Sequence, residues 1–311
     1  MVNTHQPVLL EETISLLGCQ PGGVYVDGTI GEGGHAFHIF KSCPDIRLLI
    51  GIDLDEEALV QAQKRLEPFK NRCLLIKGNY SQIKTIISKL EIEMVDGFLL
   101  DLGPSTHQLF SPQRGFSFQS DGPLDMRMDK EQKLTAFELI NSLPEERLSK
   151  IFIEYGEEKW ASPIARMIVK KRKETSIKTT SELAELVTKA IPFQSRPRKI
   201  HPATRIFQAL RIAVNDELTH LKKGLPEAID VLSPQGRIAV ISFHSLEDRI
   251  VKNTFRLYSR SCICPPDIPK CVCNHTQKIK ILTKKPIFPT SEEINKNPRS
   301  RSARLRGAEK I

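Results

Sequence analysis

Strands and helices alternating through the first hundred residues, a glycine-rich turn directly after the first strand, and acidic residues closing several strands predict an α/β protein. The expected architecture is a Rossmann-like, largely parallel sheet carrying an inserted helical domain. Four short apolar runs supply the strands: Val24 to Asp27, Leu48 to Asp53, Cys73 to Lys77 and Phe98 to Asp101. Between them lie helical stretches such as Glu56 to Leu66, with Ala58, Leu59, Ala62 and Leu66 on one face.

A fifth strand, Arg237 to Phe243, follows the turn Ser233-Pro234-Gln235-Gly236, long after Asp101. A βαβ crossover takes only about 30 residues, so a large segment is inserted between strands four and five. The insert reads as helical: Glu145 to Tyr155, Lys159 to Lys173, Ser181 to Ala190 behind a Thr179 to Glu182 capping-box spacing, and a longer helix from Pro202. The expected domains are therefore residues 1–109 with 216–311, and an inserted substrate-recognition domain at 110–215.

No run of about 18 apolar residues is available to span a membrane, and Met1 to Gly18 lacks the basic start and apolar centre of a signal peptide. A cytoplasmic protein without a membrane partner is expected. Cys19, Cys43 and Cys73 are scattered and argue little for disulfides. The net charge is +9, and it is unevenly placed. Twelve Lys and Arg accompany three Glu from Arg166 to Arg211, and ten accompany three from Thr276 to Ile311, leaving an acidic remainder. Two basic segments on an acidic body suit contacts with a phosphate backbone, although solvated helix faces would read the same way.

The glycine turn is Asp27-Gly-Thr-Ile-Gly-Glu-Gly-Gly-His-Ala36. Gly31, Gly33 and Ala36 satisfy the dinucleotide fingerprint, but Asp27 and Glu32 place negative charge where a pyrophosphate would need positive potential. S-adenosyl-L-methionine has no phosphate and carries a sulfonium and an ammonium, so these acids favour it over a nicotinamide or flavin cofactor. Asp53, ending the second strand, is placed to accept hydrogen bonds from both ribose hydroxyls. Tyr80, just past the third strand, either stacks on an adenine ring or packs in the core.

The second motif, Asp101-Leu-Gly-Pro-Ser-Thr-His-Gln108, stands at the carboxyl end of strand four, where open parallel sheets place their chemistry. An exocyclic amine is a poor nucleophile because its lone pair is delocalised into the ring. Attack on a sulfonium methyl needs an acceptor for the N–H bonds, and Asp101, a backbone carbonyl or Ser105 could supply it.

These segments, together with His5-Gln-Pro-Val-Leu-Leu-Glu-Glu12, Arg114-Gly-Phe-Ser-Phe118, Asp121-Gly-Pro-Leu-Asp-Met-Arg-Met-Asp129, His201-Pro-Ala-Thr-Arg-Ile-Phe-Gln-Ala-Leu-Arg211 and Ser242-Phe-His-Ser-Leu-Glu-Asp-Arg249, resemble the RsmH/MraW family from about His5 to Arg306. The resemblance implies a Rossmann-like S-adenosylmethionine methyltransferase sheet with an inserted helical domain. It also implies N4-methylation of a cytidine in the decoding region of 16S ribosomal RNA, within the small ribosomal subunit. By position it implies cofactor contacts at Gly33, Gly34, His35, Asp53, Tyr80, Asp101 and Gln108. The family's loop usually reads Asp-Leu-Gly-Val-Ser-Ser-Pro-Gln, so Pro104, Thr106 and His107 are departures.

Asp101 and Ser105 are the candidate catalytic residues. Phe116 or Phe118 is a candidate to stack on a flipped base, the alternative being packing of the insert. Arg114, Arg127, Arg205 and Arg211 either contact phosphates or hold carboxylates such as Asp125 and Asp129. His201 and His244 either orient the substrate loop or are structural. Cys262, Cys264, Cys271 and Cys273 form two C-x-C pairs, tighter than the usual C-x-x-C of structural zinc, so reduced cysteines in a loop are favoured over zinc and no metal is expected. Arg299, Arg301, Arg304 and Arg306 read as an RNA-binding arm, whose removal would weaken RNA binding in a salt-dependent way. A homodimer is compatible with the sequence.

Two other enzyme classes compete. A DNA amino-methyltransferase is disfavoured because the loop after Asp101 lacks paired prolines and an aromatic, and DNA is not the expected partner. An NAD-type oxidoreductase is opposed by Asp27 and Glu32. A non-catalytic RNA-binding protein is encouraged only by Pro104 and His107.

Overall fold

The computed structural model describes residues 7–265 and 270–311, so His5 and Gln6 of the first motif lie outside the described residues. Two compact units divide the chain, one of residues up to Gly103 with Leu218–Ile311, the other Pro104–Glu217. In chain order the first unit begins with α1 (Leu10–Leu17), β1 (Val24–Asp27), α2 (Gly34–Ser42), β2 (Leu48–Asp53), α3 (Glu56–Arg65), β3 (Cys73–Lys77), α4 (Ile83–Lys89) and β4 (Val95–Asp101). There follow α5 (Thr106–Phe110), α6 (Ala136–Ser142), α7 (Glu145–Glu154), α8 (Ala161–Arg172), α9 (Thr180–Ala190) and α10 (Thr204–Asn215). The remainder is α11 (Glu217–Val231), β5 (Leu232–Ser242), α12 (Ser245–Tyr258), β6 (Ile279–Ile281), α13 (Ser291–Lys296) and β7 (Arg304–Lys310).

Side-chain alternation along the strands explains why helices cover both faces of the sheet. Val24, Val26, Ile50, Ile52, Phe98, Leu100, Ile238 and Val240 project to one face and are buried with residues of α4, α11 and α12. Tyr25, Leu49, Leu99, Ala239 and Ile241 project to the other, against α1, α2 and α3. Each large apolar side chain so enclosed contributes about 1.5–3 kcal/mol relative to exposure. Runs that are apolar at every position need cover on both sides, which parallel strands with crossover helices supply.

Among the described residues the strand order is β3-β2-β1-β4-β5-β7-β6. The first five strands pair in parallel, from Leu49↔Cys73 across to Asp101↔Ile241. β5 starts earlier than the sequence predicts: Leu232 already pairs with Val95, and the ladder resumes at Gly97↔Arg237, so Ser233–Gly236 bulges out. The Ser233 hydroxyl anchors this bulge on Val95 O and Asp96 Oδ1.

The segment read as an RNA-binding arm is the largest correction. Arg304–Lys310 is an internal strand, antiparallel to β5 on one side and to β6 on the other. Leu305 and Ala308 are fully buried, and Arg306 Nε and Nη2 donate to the Asp248 carboxylate at 2.6 and 3.2 Å. Of the four arginines that suggested an arm, Arg304 and Arg306 are thus paired with a carboxylate far away in sequence, while Arg299 and Arg301 precede the strand and Arg301 is exposed. No helix of the described residues is long and apolar enough to cross a membrane.

The second unit is helical. Leu148, Phe152, Ile164, Ile168, Leu183, Val187, Ile206 and Leu210 form its core. The Thr179 capping box is present: its hydroxyl accepts the Glu182 N–H, and the Glu182 carboxylate accepts the Thr179 N–H. Observed helices begin one or two residues inside the expected ones at Lys159 and Pro202, because the preceding residues are taken up in turns.

Stopping the chain after Ala303 should abolish the cooperative thermal transition and yield insoluble protein, because β5 and β6 lose their shared partner. Soluble protein with an unchanged Tm and only salt-sensitive loss of RNA affinity would restore the arm reading.

Candidate active site at the carboxyl edge of the sheet

Strand order reverses between β1 and β4, and in open α/β sheets the crevice beyond the carboxyl ends at that point receives the ligand. Asp27 ends β1, Asp53 ends β2 and Asp101 ends β4, which gathers three carboxylates at one edge. Asp101 is held by its own N–H, which donates to Thr29 Oγ1 at 2.7 Å, and by the Leu102 N–H on Ile241 O. Sequence reasoning missed Thr29. Its position in the glycine turn was visible, but its link to a residue 72 positions away was not.

The carboxylates lie in a poorly solvated place. Asp27 is 1% exposed and accepts only the Thr29 N–H at 3.2 Å. Burial pushes it up to about 7, an effect opposed by nearby His35 and reinforced by the negative charges of Asp101 and Asp53. Burial likewise raises Asp53 to about 6, against the pull of the Asp55 and Gly31 N–H groups. His35, on the first turn of α2, brings Nε2 to 3.4 Å from Asp101 Oδ2. Both ring nitrogens of His35 and Asp101 Oδ1 are buried without a hydrogen-bond partner in the protein. Unpaired buried polar atoms are uncommon, and three of them in one place point to a polar ligand.

Several amides of the glycine turn are already used within the protein. Thr29 N–H goes to Asp27, Ile30 N–H to Ile52 O, Gly31 N–H to Asp53 Oδ2 at 2.8 Å, and Gly33 N–H to Ile30 O. Gly33 is required by its φ of +77°, while a Cβ on Gly34 would meet Pro7 at 2.8 Å. Both positions thus require glycine, whatever else their backbone contacts. A site rich in carboxylates fits a cation bearing hydroxyls and disfavours a pyrophosphate, which matches S-adenosylmethionine. Tyr80 packs part of its ring on α11, where a Cβ at Gly224 would stand 2.7 Å away, and remains partly exposed.

Several candidate residues have partners within the protein. Ser105 is the N-cap of α5, its Oγ accepting the Gln108 N–H at 3.2 Å while Gln108 Oε1 accepts the Ser105 N–H at 3.0 Å. The serine oxygen is thus occupied in helix capping, and buried Gln108 spends its carbonyl oxygen on the same box. Arg114 is buried and donates to the carbonyls of Arg127 and Met128. Arg127 clamps Asp125 with two 2.8 Å bonds, and Arg211 clamps Glu217 in the same way. His244 caps α12, its Nδ1 accepting the Glu247 N–H. Phe116 belongs to the core of the second unit. All of these are held by partners that local sequence does not reveal.

Two candidates keep an open side. The Arg205 side chain is 43% exposed, with only a 3.4 Å contact to Glu157 O and a 3.8 Å contact to Glu158. Phe118 packs on His201, ring centroids 4.6 Å apart, at an open cavity of about 450 Å³ also lined by Ser181, Thr188 and Lys189. The four clustered cysteines are all free thiols.

The sequence profile of the MraW methylase family matches residues 2–311. Ribosomal RNA small subunit methyltransferase H of Carboxydothermus hydrogenoformans is 53% identical over 308 residues, covering 99% of this chain and 98% of its own. The proteins of the same name from Syntrophus aciditrophicus and Halothermothrix orenii are 52% and 51% identical, with the same coverage.

Asp27 should make stability depend on pH. Its folded pKa of about 7 exceeds the ordinary carboxylate value, so the folded state holds a proton that the unfolded chain has lost, and stability falls as pH rises from about 4 to 7. Asp27→Asn should flatten that part of the profile and gain stability at pH 8 relative to pH 5, as read by urea melts. Parallel profiles for the two proteins would refute the assignment.

Proposed function

The chain belongs to the MraW methylase family, and we propose that it transfers a methyl group from S-adenosyl-L-methionine to the exocyclic N4 of a cytidine in the decoding region of 16S ribosomal RNA. The observation that carries this reading is the gathering of Asp27, Asp53 and Asp101 at one edge of the sheet, with His35 3.4 Å from Asp101 and unpaired buried atoms on both of that pair.

When bound, the cofactor supplies an electrophilic methyl on a sulfonium. Asp53, anchored through the Gly31 and Asp55 N–H groups, accepts the ribose hydroxyls with its remaining lone pairs. Asp27 and its acidic neighbours provide a negative field that favours a cation. Asp101 accepts an N–H of the cytosine amine, drawing the lone pair out of conjugation, and takes the proton released as the N–C bond forms. His35 positions Asp101 and offers a buried polar contact to the bound ligand. With Ser105 engaged as a cap, Asp101 remains the proton acceptor.

RNA recognition falls to the inserted unit, with Arg205, the basic run from Arg166 to Arg211 and the cavity beside Phe118 as its contact points. The substrate is a small ribosomal subunit or its RNA, and the site of action is the cytoplasm. The high identity to named small-subunit methyltransferases over nearly full length supports the choice of RNA substrate.

Incubation with labelled S-adenosylmethionine and small subunits lacking the modification should place label on N4-methylcytidine. Asp101→Ala should lower turnover by about 100-fold or more while leaving cofactor affinity within a few-fold. Label on another nucleoside, or full activity of Asp101→Ala, would overturn the assignment.

Asp53→Ala should weaken cofactor binding about 10- to 100-fold, the loss of one or two hydrogen bonds to a charged group. Wild-type affinity should rise with pH through about 6–7 as Asp53 and Asp27 ionise. A flat calorimetric profile from pH 5.5 to 8 would contradict the cation-field account.

A further inference from the structure

Beyond the active site, the segment between α12 and β6 carries the four clustered cysteines. Its described residues form neither helix nor strand. Connections this long without structure of their own are uncommon inside a compact unit unless something organises them. The four Sγ atoms all lie within 4.8 Å of one another. Cys262 Sγ stands 3.5 Å from Cys271 Sγ and 3.8 Å from Cys273 Sγ, and the last two are 3.6 Å apart.

Those separations are informative. A tetrahedral zinc ion with Zn–S bonds of about 2.3 Å requires its thiolates to be about 3.8 Å apart. A disulfide would bring two sulfurs to about 2.05 Å and gives no reason for four to converge. In an iron–sulfur cluster the four thiolates are divided between two or four irons, which spreads some of the sulfurs well beyond this spacing. Backbone N–H groups also point at the sulfurs: Ile263 N–H at Cys273, Cys264 N–H at Cys262 and Val272 N–H at Cys264, each at 3.4 Å. Such donors stabilise thiolates and orient them, the supporting shell that metal ligands need.

We propose that Cys262, Cys264, Cys271 and Cys273 bind one structural zinc ion. The sequence favours free thiols because C-x-C is tighter than C-x-x-C. The fold answers that objection by bringing two C-x-C pairs face to face, so each pair supplies one edge of the tetrahedron. With four protein ligands the ion has no open position and takes no part in catalysis. It clips the segment between the end of α12 and the edge strand β6, fixing the way the chain enters that strand.

The full-length chain, expressed with zinc in the medium and purified without chelator, should contain about one zinc per chain by elemental mass spectrometry. A mercurial reagent should release it. A double Cys262→Ser, Cys271→Ser variant should retain less than a tenth of that amount. Titration of the reduced, metal-free wild type with Co²⁺ tests the site without relying on a variant that folds. It should give the intense thiolate charge-transfer and tetrahedral absorption bands at one equivalent, bleached by zinc. Hydrogen exchange of residues 259–278 should accelerate on metal removal while β1, β2 and β4 keep their protection. Metal content near zero together with no cobalt bands would overturn the proposal, as would two disulfides in freshly isolated protein.

Discussion

Burial of carboxylates at the end of a parallel sheet is the constraint around which the first unit is arranged. Ionised acids in a dry place are costly, and the cost falls only if N–H donors, a nearby base or a bound cation share the charge. The protein uses all the local means it has. Thr29 and Gly31 turn their amides back onto Asp27 and Asp53, Thr29 reaches across to Asp101, and His35 lies beside Asp101. What is left unsatisfied there lies on His35 and Asp101, where the proposed cationic ligand and amine would supply the missing partners. A nucleotide cofactor bearing phosphates would find the same edge repulsive.

Much of this was legible from the sequence because it is local. The runs ending in Asp27, Asp53 and Lys77 have the observed strand bounds, and the acids that close strands one, two and four identify the ligand edge. The Thr179 capping box could be read from a spacing of three. β7 could not. Its Arg304-Leu-Arg-Gly-Ala-Glu-Lys sequence looks solvated until Asp248 is brought against Arg306 by α12, a pairing 58 residues apart.

The arginines of the second unit illustrate the same limit. A guanidinium that binds phosphate and one that braces a loop have identical sequence signatures, since both need polar neighbours. Arg127, Arg211 and Arg114 brace, with paired bonds to Asp125, to Glu217 and to two carbonyls. Only burial and partner geometry separate them from Arg205. The Ser105 hydroxyl shows a related point: its chemistry suggests a proton acceptor, and its spacing to Gln108 also describes a capping box.

The sheet order has a consequence for how the chain matures. β7 lies between β5 and β6 although both precede it in the chain, so β6 has no hydrogen-bonded place in the sheet until β7 has been made. While translation is under way β5 keeps a bare edge, the kind of surface that recruits stray strands. Assembly of the sheet is therefore late and non-local, which slows folding. A nascent chain interrupted before Arg304 exposes that edge permanently, a ready mark for cellular quality control, so abortive products of synthesis are unlike the finished fold in their handling as well as in their chemistry.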